Sequence, residues 1–168
     1  MAIPTWSVGE VLASADVNSW FVPLIGYKAS DTSRSSTTSQ TNDPDLIVAV
    51  AANAVYYFDL WLNYEGSTQG SSDLKLGMAV PASATLKSSA SYVNSSGGSV
   101  VEVYYNNGAA ALVPGTNGAG NIRGFYMKGT VAISSTSGNV ALSWAQNTSS
   151  GTATVLHAGS ALKLRRIG

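Results

Sequence analysis

The sequence predicts an all-β chain, folded as an antiparallel, jelly-roll-like β-sandwich with a short N-terminal arm. Apolar and polar residues alternate at period two through most of residues 54–167, in runs separated by Gly, Asn, Ser and Pro. Helical spacing is confined to the arm, which is expected to hold at most one short helix. The chain has 168 residues, 45% of them hydrophobic, enough for one domain with a sizeable core.

Residues 1–25 form the expected arm. Trp6, Val8, Val11, Leu12, Val17, Trp20, Phe21, Val22, Leu24 and Ile25 give it an apolar load too high for a solvated tail. Ser14 is the expected helix N-cap, with Asp16 in the first turn and Val17, Trp20 and Phe21 at helical spacing. Pro23 ends the helix. The arm either folds back on its own domain or buries its aromatic residues in another subunit. Residues 30–45 read as a polar connector. The β domain is expected over residues 26–168.

Residues 46–50 form a short apolar strand. Residues 54–64 form the strongest one, with Tyr56, Phe58, Leu60, Leu62 and Tyr64 on the core face and Val55, Tyr57, Asp59, Trp61 and Asn63 on the other. A loop over 66–72 leads to a strand over 73–80, with Leu74, Leu76, Met78 and Val80 inward, ended by Pro81. Strands over 84–93 and 99–105 flank the turn at 94–98, and a Gly/Asn/Ala stretch fills 106–120. Four more strands follow at 122–134, 139–146, 152–156 and 160–167. Eight to ten short strands fit two packed sheets of jelly-roll type. An immunoglobulin-like sandwich is the alternative, and its usual length of about 100 residues would leave residues over.

Charged residues are only 11% of the chain, and nine basic residues balance nine acidic ones. Such a surface repels copies of itself weakly, which suits a subunit covered by neighbours. No domain-wide basic field exists to grip nucleic acid. The absence of cysteine excludes disulfides, thiol catalysis and Cys-ligated metals. Residues 1–12 lack the basic start and apolar run of a signal peptide, and no run of apolar residues is long enough to span a membrane. A chain made and kept in a cytoplasm until something releases it is therefore expected.

Chemistry is sparsely signalled. The single histidine, His157, falls in a turn, and catalysis would require a nucleophile or an orienting carboxylate beside it. Asp59 and Glu65 are the carboxylates considered for glycoside hydrolysis, without a spacing that marks them. Asn42-Asp43-Pro44-Asp45 could lend oxygens to calcium, but no regularly spaced ligand loop accompanies it, and an Asn-Asp-Pro turn accounts for it without metal. No catalytic residue, metal or cofactor is expected. The tyrosines Tyr56, Tyr57, Tyr64, Tyr104, Tyr105 and Tyr126 could form a sugar platform or a protein interface. Each of the pairs 56–57 and 104–105 must place one ring inward and one outward.

The segment Pro4-Thr5-Trp6-Ser7-Val8-Gly9-Glu10-Val11-Leu12-Ala13-Ser14-Ala15-Asp16-Val17-Asn18 resembles the N-terminal segment of many small virion proteins of tailed bacteriophages. Those read roughly as Trp, two residues, then Gly-Glu-x-Leu-Thr-Ala-x-Asp-x-Asn. This chain has Ala13-Ser14 at the Thr-Ala step. The stretches Leu60 to Gly66, Trp144 to Ser149 and His157 to Arg166 are similar to such proteins as well, especially those of actinobacterial phages. The resemblance implies a virion protein of capsid-decoration or minor-tail type, with an arm that docks on the particle and a projecting β domain. It implies Trp6, Glu10, Leu12, Asp16, Trp20 and Phe21 as the anchor on the major capsid protein. It also implies a homotrimer, with Tyr57, Trp61 and Tyr105 at the interface. The alternative it leaves is a minor tail or fibre protein binding host-surface glycan. No nucleic-acid or membrane partner is expected.

Overall fold

The computed structural model describes residues 6–11, 13–66, 74–94, 99–107 and 109–168, and for Asp16, Ser19 and Trp20 the backbone only. The expected anchor residue Leu12, most of the 66–72 loop and most of the 94–98 turn lie outside the described residues. Among the described residues the chain forms one helix, α1 (Ser14–Phe21), and eleven strands. These are β1 (Leu24–Tyr27), β2 (Thr32–Arg34), β3 (Thr41–Val50), β4 (Val55–Glu65), β5 (Leu74–Ala79), β6 (Thr85–Val93), β7 (Val100–Asn106), β8 (Arg123–Ala132), β9 (Gly138–Gln146), β10 (Thr154–Leu156) and β11 (Ala161–Arg166).

All strand pairings are antiparallel. The larger sheet runs β1-β11-β4-β8-β6-β7, with β10 and β2 continuing beside the end of β4, and the smaller runs β3-β9-β5. The order carries the jelly-roll signature. Chain neighbours β3 and β4, β9 and β8, and β5 and β6 occupy matching places in the two sheets, so the chain crosses between sheets at each step. After β7 the chain returns to the small sheet for a single bridge, Leu76 to Leu112, whose two backbone hydrogen bonds are both 2.9 Å. Ala, Gly and Pro dominate residues 108–115 and give a full eighth strand little to pair or bury. The sandwich is therefore jelly-roll-like, as the sequence predicts. β11 then covers the free edge of β4, and the short β1 covers β11 and becomes the outer strand on that side.

The core is one cluster drawn from both sheets. Tyr56, Phe58, Leu60, Leu62 and Tyr64 of β4 are all buried, as their alternation requires. They face Leu74, Leu76, Val140, Leu142 and Trp144 of the small sheet, while Phe125, Met127 and Val131 line β8. Buried hydroxyls are satisfied: Tyr64 donates to the Gly115 carbonyl (3.0 Å) and Tyr56 accepts the Ala51 N–H (3.1 Å). At Gly129 an added Cβ would meet the Lys87 carbonyl oxygen and lie 2.6 Å from Ser88 Cα, so β8 can approach β6 this closely only with glycine.

The 30–45 connector is more ordered than its composition suggests. β2 forms within it, and β3 begins at Thr41, with an irregularity between Asn42 and Ile47. The reason is a buried ion cluster. Lys28 and Asp43 are both fully buried, and Lys28 Nζ donates to Asp43 Oδ1 (3.1 Å) and Oδ2 (3.0 Å), Asp45 Oδ2 (3.0 Å) and Thr32 Oγ1 (2.7 Å). Asp43 also accepts the Trp144 indole N–H (3.1 Å) and the N–H groups of Asp45 (3.0 Å) and Leu46 (3.2 Å). Arg34 lies 4.0 Å over the Trp144 ring and bonds the Trp144, Thr41 and Asn42 carbonyls. The oxygens considered for calcium are thus turned onto an ammonium group.

Helix α1 starts at Ser14 rather than after it. Ala13 is the N-cap, without a side-chain cap bond, so Ser14 does not take the capping role. The helix ends at Phe21, two residues before Pro23. β1 spans the expected boundary at residue 25, so Leu24 and Ile25 sit in the sheet edge.

Candidate interaction surface

Two regions hold the candidate functional side chains: the arm, and the outer face of the large sheet. In the arm the Trp6 and Phe21 rings pack at 5.8 Å. Glu10 is exposed, and its carboxylate accepts the Ser7 N–H (2.8 Å), closing a turn with the 3.1 Å bond from Glu10 N–H to the Ser7 carbonyl. Val8, Val11, Phe21 and Val22 remain exposed.

The outer face is set by strand parity and register. One rung runs Lys163, Asp59, Lys128, Ser89, Tyr104 across β11, β4, β8, β6 and β7. The next runs Arg165, Tyr57, Thr130, Lys87, Asn106, and on the other side lies Ala161, Trp61, Tyr126, Ser91, Glu102. Trp61 is 48% exposed and Tyr104 61%. The Trp61 indole lies over Gly124, where a Cβ would come within 3.2 Å of it. Three adjoining depressions mark this face. The largest, about 480 Å³, is walled by Tyr57 and Tyr104, carries Lys87 and Lys128, and has Ser89 and Thr130 in its floor. A second, about 230 Å³, lies beside Trp61, Tyr92, Val100 and Tyr126. The third, about 150 Å³, joins Ser89, Ser91, Glu102 and Lys128.

Asp59 organises the middle of the face. The hydroxyls of Tyr57 (3.0 Å) and Tyr126 (2.9 Å) both donate to its Oδ1. The bond to Asp59, with desolvation second, pushes Tyr126 up to about 12. Tyr57 is pushed up by desolvation first and by the same carboxylate next. Both rings are held by these bonds, so little side-chain entropy remains to be lost when a partner covers them.

Tyr105 does not belong to this surface. It is 5% exposed, and its hydroxyl accepts the Met78 N–H (3.3 Å) inside the core, while Tyr104 takes the outward place. The signal that settles this is Glu102, because an outward charge two residues away fixes Tyr104 outward and Tyr105 inward. Tyr57 and Trp61 do lie on the outer face.

The carboxylate readings resolve by geometry. Asp59 and Glu65 stand six residues apart on one strand, about 20 Å at roughly 3.4 Å per residue. Glycoside hydrolysis needs about 5–10 Å. His157 meets two carboxylates that are distant in sequence. Its Nδ1 is 3.1 Å from Asp31 Oδ2, and its Nε2 faces Glu65 Oε2 at 3.5 Å without a hydrogen bond. The Ala158 N–H, opposed by desolvation and aided by His157, holds the Asp31 carboxyl below its usual range. The cluster ties the β1–β2 connection to the end of β4, and no nucleophile among the described residues hydrogen-bonds the ring. No described group of three or more His, Asp or Glu is arranged to hold a metal ion. No described helix is long and apolar enough to cross a membrane.

No family model matches the chain, and no curated protein matches it. Solved structures with a similar arrangement include the tripod from the baseplate of bacteriophage Tuc2009, at 12% identity over 98% of this chain and 73% of that one, with a TM-score of 0.33. Another is the infectious bursal disease virus VP2 subviral particle, at 10% identity over 88% of this chain and 43% of that one, with a TM-score of 0.24.

Proposed function

We propose that this chain is a non-enzymatic structural protein of a phage particle, a capsid-decoration protein that docks on the major capsid lattice through its N-terminal arm. The observation that carries the reading is the arm itself. Val8, Val11, Phe21 and Val22 are exposed on a segment with almost no core of its own, beside a β domain whose core is complete without them. Burying one such side chain is worth about 1.5–3 kcal/mol. An arm that leaves several in water is built for a partner. Trp6 and Phe21 supply the paired aromatic anchor and Glu10 a polar register point, with Leu12, Asp16 and Trp20 assigned from the sequence resemblance. Many copies on one lattice would add weak contacts into a strong one.

A minor tail or fibre position is the second reading, favoured by the lined groove on the outer face, which would then turn toward a host-surface glycan. The test is to mix the purified protein, and a variant lacking residues 1–22, with capsids devoid of the protein and with intact tails. The decoration reading expects regular added density on capsids from the full chain and none from the shortened one. Density confined to tails would replace it with the second reading.

A further inference from the structure

We infer that the groove between Tyr57 and Tyr104 on the outer sheet face binds a polysaccharide bearing carboxylates. Four side-chain positions define it. Tyr57 and Lys87 share one rung, two strands apart, and Tyr104 and Lys128 share the next, also two strands apart. The tyrosines therefore stand at opposite corners, and the lysines occupy the diagonal between them, with Cα atoms about 7–8 Å apart as diagonal neighbours on adjacent strands. Between them the floor is the small outward side chains Ser89 and Thr130 and the backbone of Ser88 and Gly129, which leaves room for a ligand.

Each part matches one part of an acidic sugar. The apolar C–H face of a pyranose ring stacks on a tyrosine ring, whose face is electron-rich. A carboxylate reaches an ammonium group in a charge-assisted hydrogen bond. Neither Lys87 nor Lys128 has an ion-pair partner among the described residues. Hydroxyls of the floor serve the sugar's own hydroxyls. Charge complementarity selects this occupant over a second copy of the chain. The face carries Lys87, Lys128, Lys163 and Arg165 against Asp59 and Glu102, an excess of two positive charges in a chain with nine of each sign. Two such faces pressed together would double the excess and strand lysines away from water. The inference rests on this face being free in the particle, as the second reading of function requires, and not on where the arm docks.

The test uses the full-length protein in solution, so that it stands apart from particle imaging. Binding is measured calorimetrically with a hexamer of galacturonic acid, with neutral maltohexaose, and with polyphosphate of matching charge. The galacturonate hexamer should bind most tightly, and its affinity should weaken as salt is raised. Lys87→Ala and Lys128→Ala should each lower it about tenfold, the worth of one charge-assisted hydrogen bond. Tyr104→Ala should weaken the galacturonate hexamer and leave polyphosphate unchanged. All three substitutions are at exposed positions, and unchanged melting temperatures check that the variants are folded. Equal binding of polyphosphate with no effect of Tyr104→Ala would reduce the groove to a bare charge patch and overturn the inference. So would equal binding of maltohexaose, or no binding of either sugar. Self-association in sedimentation that is abolished by Tyr104→Ala would assign the face to a second copy and overturn it as well.

Discussion

Replacing Asp43 with alanine should be among the most damaging single changes in the molecule. The substitution removes both oxygens that Lys28 Nζ bonds at 3.1 and 3.0 Å, in a site where both side chains are fully buried. Lys28 keeps Thr32 and the partly exposed Asp45. Breaking a buried ion pair from one side costs about 3–5 kcal/mol, because the remaining charge is uncompensated. The Trp144 indole N–H and two backbone N–H groups lose their acceptor too, and one buried unsatisfied donor costs about 1–3 kcal/mol. These terms overlap, so a total of about 4–6 kcal/mol is expected. At about 2–4 °C per kcal/mol for a chain of this length, the melting temperature should fall by about 10–20 °C. Urea unfolding gives the free energy directly. Lys28→Met combined with Asp43→Asn should cost less than Asp43→Ala alone, since no charge is then left buried. A loss below about 1 kcal/mol for Asp43→Ala, or strict additivity of the Lys28 and Asp43 changes, would refute the account of this cluster.

The same carboxylate predicts the acid limb of stability. Burial alone would raise its pKa, but the Lys28 bond and charge, the Asp45 N–H and the Trp144 indole outweigh it and hold Asp43 below its usual range. A depressed folded-state pKa contributes stability that is complete above the unfolded value, about 3.9, and is lost as pH falls through the folded one. Urea midpoints should therefore hold from about pH 7 to 5 and drop below about pH 4. On the outer face the sign is reversed. Tyr126, at about 12, is raised above its unfolded value, so its contribution is complete below about pH 10 and lost as pH climbs through 12. A tyrosinate absorbance titration should show a late-ionising group that Asp59→Asn brings back toward 10. Gly129→Ala should destabilise by about 1–3 kcal/mol or more through overpacking against β6, read as a lowered urea midpoint. Removing residues 1–22 keeps β1 intact and should move the melting temperature by no more than a few degrees, since the exposed arm side chains contribute little to the core.

The strands of the roll were readable wherever one face is buried and the other is wet. β4 is the clearest case: Asp59 and Asn63 on one parity and Phe58, Leu60 and Leu62 on the other leave a single choice. β7 was harder, since Val100, Val101, Val103, Tyr104 and Tyr105 offer two apolar faces and Glu102 alone breaks the tie. The start of β3 was hidden for a different reason. Asn42-Asp43-Pro44-Asp45 has turn composition, and only the ammonium of Lys28, 15 residues away, makes burial of Asp43 tolerable. Long-range pairing of that kind has no local signature. The meeting of His157 with Asp31 and Glu65 is likewise a product of topology, 126 residues apart in the case of Asp31. On the outer face, the outward places of Tyr57 and Trp61 followed from alternation. Their grouping with Tyr126, Lys128 and Lys87 needed the order β4-β8-β6, which periodicity does not give.

The measurement that bears most directly on the proposed role is electron microscopy of capsids lacking this protein after the purified chain is added back. Periodic density over the capsid lattice, lost when residues 1–22 are removed and retained when Tyr104 is changed to alanine, is the predicted result. Binding that survives removal of the arm, or no binding to capsids at all, would contradict the claim that the arm anchors the protein to the particle.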